Sequence, residues 1–315
     1  MKRRSLLLAT PALLGWAPDR PLRLVIPFAP GGTNDIIGRQ VAEGMAARLG
    51  QNMVVENRGG AGGVLGAEMV AKAAPDGHTL LLGGSGSLVI TSFVHRRLPY
   101  DPVAGFAPIG MMGSGANLIV CHPSVPATNL RELQAVARAA RPPLTYCSSG
   151  VGTTSHAGSA MLALAMGVEL EHIPYRGTGP ALTDLMAGRV QLFTNALAPM
   201  QQQVETGRLR ALAIAGRTRN AASPNVPTTI EAGFGEVQAA TWFALFATGG
   251  TPPDRIAALH TALNATMADP ALRARITEGG VDLETSDSPA DFGRFYLEER
   301  TRWGEVVRRA GIVAE

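Results

Sequence analysis

Apolar positions along this chain fall into short runs, most of them followed by a glycine-rich stretch and then by residues with a helical period. Leu22 to Phe28 reads as a strand, and Ile37, Val41, Met45 and Leu49 recur every fourth residue, predicting a helix that Gly50 ends. Met53 to Glu56 is the next expected strand, Ala67 to Ala73 a helix stopped before Pro75, and Thr79 to Leu82 a third strand. The alternation restarts near the middle of the chain. There Leu118 to Cys121 and Leu144 to Cys147 read as strands around a helix over Asn129 to Ala140, whose Leu130, Leu133 and Val136 face inward. His172 to Tyr175 and Val190 to Phe193 flank a further helix, Pro180 to Met186, with proline near its start. Thr241 to Phe246 is a strongly apolar strand, and Pro253 to Ala268, Pro270 to Gly279 and Pro289 to Ala310 read as helices. Short strands alternating with helices imply an α/β fold of two doubly wound lobes with mainly parallel sheets. The C-terminal helices are expected to pack back on the first lobe. Two chain crossings, near Leu118 to Cys121 and Thr241 to Phe246, would then form a hinge.

Two of the glycine-rich stretches share one design. Pro27 to Asp35 (PFAPGGTND) and Ser148 to His156 (SSGVGTTSH) each follow a strand and open a helix, and neither contains Lys or Arg. At a helix start the first N–H groups lack intrahelical partners and the peptide dipoles leave partial positive charge, while glycine lets a ligand approach closely. A cation-free pair of such loops suits a reversibly held carboxylate better than a polyphosphate. Asp35 reads as a helix cap, and Arg176, the one cation in a strand-end loop, is a candidate for a second ligand carboxylate or a solvated surface residue.

Composition narrows the alternatives. The 315 residues are 46% apolar and 17% charged, which describes a globular protein of one large or two medium domains. A net charge of +3 is too small and too evenly spread for a nucleic-acid surface. Lys2, Arg3 and Arg4 before the apolar run Leu6 to Trp16 read as a bacterial export signal with cleavage near Ala17 to Pro21, and the arginine pair also permits the twin-arginine route. No other stretch is long and apolar enough to span a membrane. The even cysteine count permits a Cys121–Cys147 disulfide or two buried thiols packing as small hydrophobes. His78, His95, His122, His156, His172 and His260 are scattered, so no metal site is expected. Gly150 to Ser155 nearly matches a dinucleotide fingerprint but ends in serine, and Gly83 to Ser87 misses the final glycine of a nucleophile elbow.

Motifs along almost the whole chain resemble one family. They include Val25-Ile26-Pro27-Phe28-Ala29-Pro30-Gly31-Gly32 with Asp35, Glu56-Asn57-Arg58 with Gly60 to Gly63, Ala71 to Leu82, and Tyr100-Asp101-Pro102. The Ser148 to His156 loop, Pro174 to Leu182, Val226-Pro227-Thr228 with Glu231-Ala232-Gly233, and Trp242-Phe243 continue the match. The chain is thereby identified as similar to the Bug family, the periplasmic substrate-binding proteins of tripartite tricarboxylate transporters. The resemblance implies a periplasmic-binding (flytrap) fold, a ligand carboxylate held by the two loops through backbone, hydroxyls and water, and delivery to a membrane permease without catalysis. Gly59, Gly105 and Thr194 depart from the family pattern. Thr194 replaces a usual Asp before Asn195, which weighs against an amino-acid-type ligand.

The resulting expectations are a signal over residues 1–20, a first lobe of 21–120 and 242–315, and a second lobe of 121–241. Candidate ligand-binding residues are Phe28, Gly31, Gly32, Thr33, Asn34 and Ser85 from the first lobe. Those from the second are Ser149, Gly152, Thr153, Thr154, Ser155, His156, Arg176, Thr194 and Asn195. The expected protein is a periplasmic monomer that binds a small mono-, di- or tricarboxylic acid, serves permease subunits, uses no cofactor and contacts no nucleic acid. Two alternatives stay open: an exported α/β enzyme using Ser85 or the Gly150 loop, and a periplasmic sensor that hands the same ligand to a signalling partner.

Overall fold

The computed structural model describes residues 20–312, so the expected export signal lies outside the described residues. The chain runs β1 (Leu22–Ile26), α1 (Thr33–Leu49), β2 (Met53–Asn57), α2 (Val64–Ala71), β3 (Thr79–Gly84), α3 (Thr91–Val94) and β4 (Phe106–Cys121). It continues through α4 (Leu130–Ala139), β5 (Leu144–Ser148), α5 (Thr154–Met166), β6 (Leu170–Pro174), α6 (Thr178–Met186), β7 (Leu192–Ala196), α7 (Gln201–Glu205) and β8 (Arg210–Ala215). The last elements are β9 (Ala240–Thr248), α8 (Pro253–Met267), α9 (Pro270–Glu278) and α10 (Pro289–Ala310).

The strands form one mixed sheet in the order β2-β1-β3-β9-β4-β7-β5-β6, with β8 on the other face-edge of β4. The βαβ units are parallel, as the alternation predicts: β1 with β2 and β3, and β5 with β6 and β7. The antiparallel share comes from the two strands that join the halves, since β9 runs against β3 and β4, and β4 runs against β7 and β8. β4 pairs with β9 up to Ala116 and with β7 and β8 from Asn117 onward. One 16-residue strand, about 50 Å long, therefore carries the chain from one half to the other. Only its last four residues were readable as strand, because Pro108, Gly110, Gly113 and Gly115 break the period-2 pattern. Register shifts at Pro108/Gly110 and Met111/Gly113 mark these breaks. Gly113 is needed there for close approach: a Cβ would lie 2.6 Å from the Asp282 carbonyl, which pairs with Ser114 next to it.

Two apolar clusters flank the first half of the sheet. One joins α1 and α8 through Ile37, Val41, Met45, Leu259 and Leu263, and the other seats α10 through Phe292, Tyr296 and Trp303 near Trp242 and Phe246. Glu299 anchors α10 by accepting hydrogen bonds from both the Trp242 (3.0 Å) and Trp303 (3.1 Å) indole N–H groups. Cys121 and Cys147 are buried free thiols. Cys121 pairs with Leu192 on β7 while Cys147 pairs with Phe193, so β7 lies between them. Two strand spacings of about 4.8 Å exceed the reach of a disulfide, and of the two readings the packed-thiol one holds.

Candidate functional site

Three helices begin at one place. α1 starts at Thr33 after Gly32, α5 at Thr154 after Thr153, and α6 at Thr178 after Gly177. All three follow β-strand ends, because in a βαβ unit the chain turns into its helix at the carboxyl edge of the sheet. A cavity of ≈ 40 Å³ lies where they converge, lined by Phe28, Gly32, Thr33, Asn34, Ser149, Thr153, Thr154, Ser155, Thr178, Asn195, Ala196, Thr241 and Phe243. That is room for about three water-sized groups. None of the lining residues is charged.

The polar groups around this cavity are distinctive in what they lack. Neither Gly32 nor Gly177 supplies a side-chain cap, so the first amides of α1 and α6 have no intrahelical partner. Thr33 Oγ1 and Asn34 Oδ1 are buried without a hydrogen bond. A partial charge of about +0.5 at each helix start gives three converging positive ends without a cation. On the opposite wall Thr178 Oγ1 receives the Asn195 amide (2.9 Å) and lies 3.0 Å from Ser149 Oγ. At the floor, Thr154 Oγ1 donates to Thr241 Oγ1 (2.7 Å), which donates to Asn117 Oδ1 (2.9 Å) at the point where β4 changes partners. Such a site can stabilise an anion. It contains no general base and no nucleophile with an orienting partner.

The two halves touch around the cavity. Ala29 N–H donates to the Arg176 carbonyl (3.2 Å), and a Cβ on Gly62 would come 1.9 Å from Val151 O. The cleft is closed.

Of the sequence-expected residues, Phe28, Gly32, Thr33, Asn34, Ser149, Thr153, Thr154, Ser155 and Asn195 line the cavity. The others sit elsewhere. Gly31 donates its N–H to Asp35 Oδ2 (3.1 Å) and faces Gly179 across the cleft. Ser85 is fully buried between β3 and β9, 3.4 Å from both Ala240 O and Trp242 N. Gly152 packs on Thr91. Thr194 is buried beneath Gly158 of α5. His156 and Arg176 line a second cavity of ≈ 880 Å³ on the far side of the Ser148–Gly152 loop, and neither lines the first.

Asp35 does not cap α1 either; it ties the loop together through Gly31, Arg39 (2.9 Å) and Asn57 (3.1 Å). Burial pushes its carboxyl up, but Arg39, the Gly31 N–H and Asn57 outweigh that and hold it below the ordinary carboxylate range. Thr178, Ala196, Thr241 and Phe243 were not singled out. Thr178 stands at the first turn of a helix after a strand-end glycine, the same signal that marked Thr33.

A two-lobed α/β fold closed over a cation-free pocket of helix starts defines the periplasmic solute-binding class. Residues 37–312 match the family model described as tripartite tricarboxylate transporter family receptor, TctC, and the chain belongs to that family. It is 33% identical over 306 residues to the protein BugT of Bordetella pertussis, covering 96% of this chain and 93% of that one. Among solved structures it is similar to the periplasmic binding protein BugD, with a TM-score of 0.90, 33% identity and coverage of 95% of this chain and 100% of the other. It is also similar to MatC from Rhodopseudomonas palustris with bound malate (TM-score 0.88, 32% identity, 92% and 99% covered). A further R. palustris protein, solved with adipate, gives a TM-score of 0.89 at 33% identity, with 95% and 99% covered. These are binding proteins, and the family is one of transporter receptors rather than enzymes.

Proposed function

We propose that this chain captures a small carboxylic acid between its lobes and delivers it to the permease subunits of a tripartite tricarboxylate transporter. The observation that carries this reading is the convergence of the α1, α5 and α6 starts on an uncharged cavity. One carboxylate there offsets the three helix ends without needing Arg or Lys. Thr33, Asn34 and the first amides of α1 grip it from one lobe, and Ser149, Thr153, Thr154, Ser155 and Thr178 from the other. Relatives solved with malate and adipate support an acid as ligand.

The first lobe comprises residues 21–120 and 242–315 and the second 121–241, with the crossings close to where β4 exchanges β9 for β7 and β8. The protein acts as a monomer, exported by its N-terminal signal. Thermal unfolding of the mature chain against a panel of mono-, di- and tricarboxylates tests this. A ligand at a hundredfold excess over its Kd stabilises by about 2.7 kcal/mol, a rise of several degrees in Tm. No shift with any acid at millimolar concentration contradicts the reading.

A further inference from the structure

The Ser148–Gly152 loop is held in place by two histidines that touch no part of the carboxylate cavity. His156, in the first turn of α5, accepts the Gly152 N–H on its Nδ1 (3.2 Å). His172, on β6, has Nε2 2.6 Å from Ser148 Oγ, and that hydroxyl accepts the Gly150 N–H (3.1 Å). The two imidazoles stack on each other with centroids 4.0 Å apart and planes 8° from parallel, and Tyr146 stacks beneath His172 at 4.8 Å. The column thus grips both glycine amides of the loop that presents Ser149 and Thr153 to the cavity.

We propose that His156 and His172 form a proton-operated latch: as neutral stacked rings they hold the loop in its ligand-gripping shape, and a proton taken up by either ring frees it. This rests on the carboxylate reading of the cavity, and both histidines are positioning residues.

Three features make a proton incompatible with the latched state. A protonated His156 Nδ1 becomes a donor facing the donor N–H of Gly152. The ring sits at a helix start, where positive charge is disfavoured. The second ring lies face to face with it, so a charge on either is close to the other. Burial, with His172 adding to it, accordingly pushes His156 down to about 3, and burial pushes His172 down to about 4.

Both rings face the ≈ 880 Å³ cavity between the lobes, with Ala61 and Gly62 on its other wall, so separating the lobes hydrates them. Among the described residues, the titratable or charged groups facing that cavity are His95 after α3, Tyr146 on β5, Glu171 on β6, and Tyr175 and Arg176 after β6, and the described residues after α10 add Gly311 and Ile312. Glu171 is the single acid among them.

The sign follows from linkage. The open form, with ordinary histidines near 6.5, takes up a proton as pH falls through that value, while the closed form takes it up only near 4 to 3. Affinity is therefore full above pH 7 and falls between about 6.5 and 4. Counting one proton, because the neighbouring ring repels a second, the loss from pH 7.5 to 5.5 is about tenfold.

The test uses the mature protein and titration calorimetry with malate, adipate, succinate and lactate at pH 7.5 and 5.5. The pair His156→Asn with His172→Gln keeps an acceptor near Nδ1 and a polar group near Nε2 but cannot titrate. It is expected to bind as the wild type does at pH 7.5 and to lose the tenfold share of the drop that the histidines cause, and comparing the two proteins cancels the contribution from titration of the ligand itself. His156→Phe, which keeps the ring stack without the acceptor, is expected to bind more weakly at both pH values. Wild-type affinity equal at the two pH values, or a double variant with the same drop, overturns the latch while leaving the carboxylate reading intact. If none of the four acids binds, the latch is read in the ligand-free protein by NMR. His156 should then be the Nε2–H tautomer with a protected Gly152 amide at pH 7.5, and the protection factor should collapse by pH 5. Protection unchanged at pH 5 overturns the proposal.

Discussion

Replacing Gly32 with valine separates closure of the cleft from folding of the lobe that carries it. Gly32 has φ −91° and ψ 170°, an extended conformation open to any residue, so the substitution introduces no backbone strain. Its added Cβ would lie 3.1 Å from Thr178 Oγ1 and 3.2 Å from Thr178 Cβ, across the cleft on the opposite lobe. Those contacts are a few tenths of an ångström too short for Cβ alone, and the two valine methyls extend beyond it. Overpacking of this kind costs about 1–3 kcal/mol, charged here against the closed form only, which corresponds to a roughly 5- to 150-fold loss of affinity. Gly31 is a poorer choice for the same test. Its φ of +88° strains any side chain, and its Cβ would meet Gly179 at an ordinary 3.8 Å, so a loss there mixes two causes. The assay is titration calorimetry of Gly32→Val with an acid that binds the wild type, alongside its ligand-free Tm. A variant with unchanged Tm and unchanged affinity would refute the closed geometry of α1 against α6.

Thr178→Val keeps shape but removes the hydroxyl shared by Ser149 and Asn195, so ligand affinity should fall by about 1–3 kcal/mol in the same calorimetric assay. Glu299→Leu leaves the Trp242 and Trp303 N–H groups without their acceptor in a buried setting and should lower unfolding free energy by about 2–6 kcal/mol, measured by urea denaturation. Burial pushes both thiols up, Cys121 to about 11, so neither should react with a thiol reagent in native protein at pH 8, both should react in denaturant, and reductant should leave Tm unchanged.

Much of the α/β alternation was legible because the βαβ units are local: an apolar run, a glycine turn and a helical period lie within about thirty residues. The joining strands were not. β4 hides its period behind one proline and three glycines, of which Gly113 and Gly115 accommodate the backbone of residues 280–282, and β8 (RALAIA) is built of residues with more helical than strand preference. Its strand state comes from pairing with β4, whose residues 117–121 lie far back along the chain from their partners in 210–215. The cavity was legible where helix starts carry glycine and hydroxyls, which is how Thr33, Asn34 and Ser149 to Ser155 stood out. Side-chain direction was not legible. Thr194 and Asn195 are adjacent on β7, and alternation turns Thr194 under α5 and leaves Asn195 on the cavity wall. Arg176 was open between a second ligand anchor and a surface residue; its carbonyl meets Ala29 across the cleft, and the residue lines the larger cavity.

The central claim is that a carboxylate sits where α1, α5 and α6 begin. A crystal structure of the mature protein, grown with whichever acid raises its Tm most, tests this directly. The account predicts one carboxylate within about 2.7–3.2 Å of amides or hydroxyls from both Thr33–Asn34 and Ser149–Ser155, or joined to them by single waters, with no cation in contact. A ligand seated instead against Arg176 in the larger cavity, with the helix starts left untouched, would contradict it.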